Sequence, residues 1–177
     1  VDMLSYAVAT GMSQGVLPLV GYNYSARNFP RMKAAIRVDF LLSFAVALVS
    51  TAFLFTCAAP IVRAFIDDAE TVRYGQLFQR IICITGPCIS VTMLAITVFQ
   101  SVGKKAQPAI LSLLRKGGLD IPFMFLLNAL AGVEGIVWAT PIADFGAMLV
   151  ALMLFVPFWR TLRQEQGMER KSSGRGA

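Results

Sequence analysis

Three features of the residue order point to an all-α bundle embedded in a lipid bilayer. The chain has 177 residues, 56% hydrophobic and only 15% charged, where soluble domains run near ~25% charged. Its charges are clustered: 24 uncharged residues separate Asp2 from Arg27, and 23 run from Phe40 to Val62 and again from Ile81 to Gly103. Each run exceeds the roughly 20 apolar residues with which a helix crosses ~30 Å of hydrocarbon. Finally, the basic residues gather in alternate connections between the apolar runs, as in multi-pass membrane proteins.

Five transmembrane helices are expected, at about 3–24, 36–60, 78–102, 106–130 and 135–159. The first is the uncharged run before Arg27 and contains Pro18 and Gly21. The second is the run before Arg63, and the third surrounds Gly86-Pro87. Proline removes a backbone hydrogen bond, so Pro18 and Pro87 are expected to break or kink their helices. The fourth carries the string RKGGLDIP, in which Gly117-Gly118 and Pro122 interrupt an apolar segment. The fifth ends at Arg160, and residues 161–177 form a polar tail whose composition cannot bury a core and is expected to be disordered. Residues 1–160 are thus the membrane unit, with the bilayer as its first partner.

The first connection carries Arg27, Arg31, Lys33 and Arg37, the third Lys104 and Lys105, and the tail Arg160, Arg163, Arg170, Lys171 and Arg175. The second balances Arg63, Arg73 and Arg80 against Asp67, Asp68 and Glu70, and the fourth holds only Glu134. The positive-inside rule then makes the C-terminus cytoplasmic and the N-terminus external. A Val start with no signal peptide leaves that orientation to be set upstream, so the sequence is expected to be a C-terminal piece of a longer protein.

Histidine is absent, which removes Ser–His and Cys–His nucleophiles and imidazole metal ligands. Cys57, Cys83 and Cys88 sit in apolar runs without zinc or disulfide spacing. With no G-x-S-x-G elbow either, no catalytic residue, metal ligand or cofactor is expected, and the chain is not expected to be an enzyme. The positive net charge lacks a basic stripe interleaved with aromatics, so no nucleic-acid partner is expected.

Polar groups inside hydrocarbon are costly and therefore informative. Gln79, Cys83, Gly86, Ser90, Thr97 and Gln100 recur on one helical face. That stripe fits either a close-packing seam or the wall of a water-filled cavity. Arg115 lies nine residues past Ala106 and Asp144 nine past Gly135, so each sits about 14 Å from its end of the bilayer. On antiparallel neighbours they would meet near the midplane. The competing arrangement pairs Lys116 with Asp120 at i,i+4.

GMSQGVLPLVGYNYSARN resembles the eighth helix of multidrug and toxic compound extrusion (MATE) transporters, through Gly11, Gln14, Pro18, Gly21, Asn23 and Ala26; Ser25 stands where that family usually has Gly. FQSVGKKAQPAILSLLRKGGLDIPFMFLL resembles the tenth and eleventh helices, through Phe99, Gln100, Gly103, Arg115 and Pro122. GVEGIVWATPIAD resembles the entry to the twelfth, through Gly132, Gly135, Trp138, Pro141 and Asp144. The resemblance implies helices eight to twelve of a two-lobe, twelve-helix antiporter in the cell (inner or plasma) membrane. It implies extrusion of small amphipathic, often cationic drugs against H+ or Na+, with the coupling ion bound mainly in the absent N-terminal lobe. The tenth-helix equivalent, Ile81 to Gly103, has no carboxylate. Gln14, Gln100, Arg115 and Asp144 are the candidate translocation-pathway residues. The eight methionines and thirteen phenylalanines suit an adaptable apolar pocket as well as ordinary packing.

A lipid-linked oligosaccharide flippase or polysaccharide exporter shares this architecture, but should need a more cationic cavity to hold a pyrophosphate. A non-transporting membrane scaffold is the alternative of a different class.

Overall fold

The computed structural model describes residues 2–63 and 69–173, and every regular element within them is helical. The order is α1 (Asp2–Ser25), α2 (Phe29–Thr56), α3 (Ala58–Arg63), α4 (Ala69–Cys83), α5 (Gly86–Ser101), α6 (Ala106–Leu113), a π-helical turn (Leu114–Leu119) and α7 (Asp120–Ser173). Among the described residues, Phe29–Thr56 and Gly135–Gly167 are each long and apolar enough to cross a membrane. Thr71–Cys83 and Gly86–Ser101, bent by 41°, together make a third candidate span.

Local chemistry sets the boundaries. α1 ends where the Asn28 N–H donates to the Asn23 carbonyl (2.8 Å) and the Arg27 N–H to that of Tyr24 (3.0 Å), with Arg27 left-handed at φ 53°. This is a Schellman ending. Asn28 then caps α2, its side chain accepting from the Arg31 N–H at 3.3 Å, and Pro30 occupies the first turn. α2 therefore starts at Phe29 rather than near 36 and ends at Thr56 rather than near 60. α1 runs through Pro18 without a break in its helical assignment.

The expected third helix divides at Ile84 and Thr85, immediately before Gly86-Pro87. Thr51 of α2 donates its hydroxyl to the Cys83 carbonyl at 3.0 Å, satisfying a group exposed by the bend. A Cβ on Gly86 would stand 2.6 Å from that same Thr51 oxygen, so any side chain here must displace the hydroxyl. Ser90 donates back to the Gly86 carbonyl at 3.2 Å. Cys83, Gly86, Ser90 and Thr97 are all buried. Where Gly86 meets Thr51, the stripe is a packing seam against α2.

α7 is two helices parted at Gly132, whose φ of 63° and ψ of −142° suit glycine alone. The contacting pairs Arg115–Asp144, Asp120–Thr140 and Leu127–Gly135 all centre on residues 129–131, as in an antiparallel hairpin. Along the returning helix, Ala139, Ala143, Ala147 and Ala151 recur every fourth residue and are fully buried. Small side chains at that spacing let helix backbones approach closely, the packing mode that works without a hydrophobic drive between helices.

α5 lies at the centre of the bundle, and its buried Leu94, Val98 and Phe99 join Val20 and Met32 with Leu111, Phe158 and Leu162 in one core. Phe99 meets Phe158 edge-on, ring centroids 5.5 Å apart. Lys104 lies over the Phe158 ring at 4.7 Å, and Lys33 donates to the Gln166 side chain at 2.8 Å. Basic residues from both connections and the last helix are thereby brought to one end of the bundle. The segment expected to be a disordered tail is instead helical to Ser173; the Lys33–Gln166 bond ties its first turns to α2. Residues 174–177, and Asp67 and Asp68 of the second connection, lie outside the described residues, as does the side chain of Glu134.

Candidate functional site

Arg115 sits in the π turn, where Gly117 and Gly118 reduce side-chain crowding and the widened ladder re-aims a residue within an otherwise helical run. Its Nε donates to Asp144 Oδ1 at 2.6 Å. The two residues are 4% and 3% exposed. Asp120, one turn beyond, accepts from the Thr140 hydroxyl at 3.3 Å. The hairpin therefore carries charge and polarity matched across its two helices. The i,i+4 alternative is not adopted: Lys116 is exposed, and among the described residues no ion pair joins it to Asp120.

The other expected pathway residues are placed elsewhere. Gln14 on α1 and Gln100 at the end of α5 are both exposed. Gln100 lines a recess of about 440 Å³ with Lys104, Lys105 and Ser112 at the basic end of the bundle. The expected breaks also differ among themselves. Pro87 is the second residue of α5 and Gly117-Gly118 lie in the π turn, whereas Pro122 follows that turn directly, in a run that stays helical from Ala106 onward.

Asp39 is a residue the sequence reading passed over. It is 3% exposed and lies ten residues past Phe29, about 15 Å along α2. Ser43 donates to its Oδ1 at 3.2 Å, while its Oδ2 is buried with no hydrogen-bond partner among the described residues. Asp39 contributes to a groove of about 680 Å³ between α1 and α2, whose walls include Gly11, Gly15, Asn23 and Arg31. The missed signal was Asn28-Phe29-Pro30, a helix start that makes Asp39 an interior residue of α2 rather than one of its first turn. Asp39→Asn, which removes a partly unsatisfied buried carboxylate, is expected to stabilise the protein by about 1 kcal/mol. Equilibrium unfolding in detergent measures this, and a loss of stability would mean that the carboxylate is satisfied in the membrane.

Residues 1–126 match the MatE family. The multidrug export protein MepA of Staphylococcus aureus is 26% identical over 147 residues, covering 83% of this chain and 32% of its own length. MepA of Staphylococcus saprophyticus gives the same identity and coverage. The chain thus spans about a third of the length of the curated relatives it matches. Among solved structures, an inward-facing multidrug resistance MATE family transporter of the MOP superfamily has a TM-score of 0.85 over 92% of this chain and 38% of that one, at 18% identity. MATE in complex with MaL6 has a TM-score of 0.84 over 92% of this chain and 37% of that one, at 17% identity. At those identities the likeness is one of fold.

Proposed function

The chain belongs to the MatE family, and from that membership we propose that it supplies helices eight to twelve of a secondary multidrug exporter. The observation that carries this reading is the family match over residues 1–126, made by a chain whose fold also follows MATE transporters over 92% of its length. The whole protein exchanges small amphipathic, often cationic compounds for H+ or Na+ across the cell membrane, with its basic end and C-terminus in the cytoplasm. Alternating access needs an opposing lobe, so this chain acts with the N-terminal lobe of the same protein.

In this reading the two buried carboxylates divide the work. Asp144 is neutralised by Arg115 and holds the hairpin together. Asp39, with an oxygen left without a hydrogen-bond partner among the described residues, is the group in this lobe that responds to the coupling cation. The principal coupling carboxylates belong to the other lobe.

The test is drug susceptibility of a pump-deficient cell expressing the full-length parent gene, with Asp39→Asn, Asp144→Asn and Arg115→Ala compared at equal expression. Resistance to chemically unrelated cationic compounds is expected from the parent. Asp39→Asn should flatten the dependence of efflux on the H+ or Na+ gradient, while the two ion-pair variants narrow or abolish resistance. No resistance to any compound would overturn multidrug efflux and direct the next assay to flipped lipid-linked sugars.

A further inference from the structure

A second cleft opens between α2, α5 and the returning helix of α7, away from the groove at Asp39. Its walls are apolar and include Ile36 and Phe40, Leu94 and Ala95, and Leu152 and Phe155. Its volume is about 240 Å³. Phe40 and Leu152 at its rim are 37% and 40% exposed, so the cleft is open along the outer surface of this bundle rather than sealed in the core. At the basic end it finishes at Arg37 and Trp159.

That end is strongly cationic. The Lys33 ammonium lies 5.7 Å from the Trp159 ring centroid; Arg37 stands one turn past Lys33 on α2, and Arg163 one turn past Trp159 on the returning helix of α7. Arg37 and Arg163 are exposed, and among the described residues neither forms a salt bridge with an acid. Like charges gathered without an ion-pair partner among the described residues favour an anion from outside the chain. A cationic compound would be repelled here. Tryptophan settles at headgroup level in a bilayer, which puts this mouth at the depth of lipid phosphates.

We propose that the cleft is a binding site for one anionic glycerophospholipid. An acyl chain lies along Phe40, Leu94, Leu152 and Phe155, and the phosphate is held by the exposed Arg37 and Arg163, with the charge of the buried Lys33 behind them. Basic pockets between membrane helices on the cytoplasmic side hold anionic headgroups by this combination of charge and apolar contact. A zwitterionic lipid offers the same tails, but its ammonium meets three cations, so the site selects by headgroup charge.

Native mass spectrometry of the full-length protein, released from mixed micelles containing equal phosphatidylglycerol and phosphatidylcholine, tests this. The unaltered protein should retain phosphatidylglycerol in preference. Arg37→Gln and Arg163→Gln should each lower its retention about fivefold, and together they should bring the two lipids to parity. Arg73→Gln, a change of equal charge outside this site, should leave the preference intact. Equal retention of both lipids by the unaltered protein, or an undiminished preference in the double variant, would overturn the proposal. Because the substitutions are exposed and the readout is bound lipid, failure here leaves the drug-export reading standing.

Discussion

Replacing Asp144 with Ala should cost about 3–5 kcal/mol of stability, because Arg115 then keeps a buried charge with its main partner gone. Arg115→Ala should cost a similar amount for the converse reason. Both side chains are almost fully enclosed, and their contact spans 29 residues of sequence. An unpaired charge in this setting must either drag water inward or pull the hairpin apart. The double variant Arg115→Met with Asp144→Leu should recover most of the loss, since apolar residues of similar volume often replace a buried pair at little cost. Equilibrium unfolding in detergent and denaturant gives the three values and the coupling between the sites. If the single losses simply add in the double variant, the two side chains do not act as a pair. Resistance restored by the double variant would further assign the pair to architecture, and continued loss would assign it to transport.

Gly86→Ala should destabilise by about 1–3 kcal/mol, although alanine is the better helix former. The added methyl would collide with the Thr51 hydroxyl, and turning that hydroxyl away breaks its bond to the Cys83 carbonyl. The freed carbonyl then lies at the bend with one acceptor less satisfied. Thr51→Ala alone should cost about 1 kcal/mol. Adding Thr51→Ala to Gly86→Ala should recover part of the Gly86 loss, because the obstacle is gone. Unfolding midpoints of the four proteins decide the matter. No recovery in the double variant would locate the crowding on the α2 backbone instead.

The helical class and membrane setting were legible because they rest on composition and on uncharged runs, which tertiary packing does not alter. For Arg115 and Asp144 only the shared depth was legible, from helical rise; the sequence equally allows Lys116 to pair locally with Asp120, and the packing of the hairpin decides between them. The choice between seam and cavity for the stripe through Gly86 was not readable, since it depends on which helix faces it; Thr51 supplied that answer. The charges of Arg31, Lys33 and Arg37 predict a start for α2 near residue 36, and the Asn28 cap sets it at Phe29 instead. Lys33 is buried, however, and carries its ammonium to Gln166. A start near residue 36 conceals Asp39. The helix beyond Arg160 was hidden for a related reason: its support comes from α2, far away in sequence.

The hairpin centred near Gly132 also bears on how the chain enters the membrane. A lone arginine or aspartate at the middle of a helix opposes its passage from the translocation channel into lipid by about 2.5–3.5 kcal/mol. Delivered separately, the helices around Arg115 and Asp144 would each meet that barrier. Delivered together, folded at Gly132, they present their charges to one another before either meets lipid. The two segments are therefore one unit of biogenesis, and the first should wait beside the channel until enough chain has emerged for Asp144 to reach Arg115.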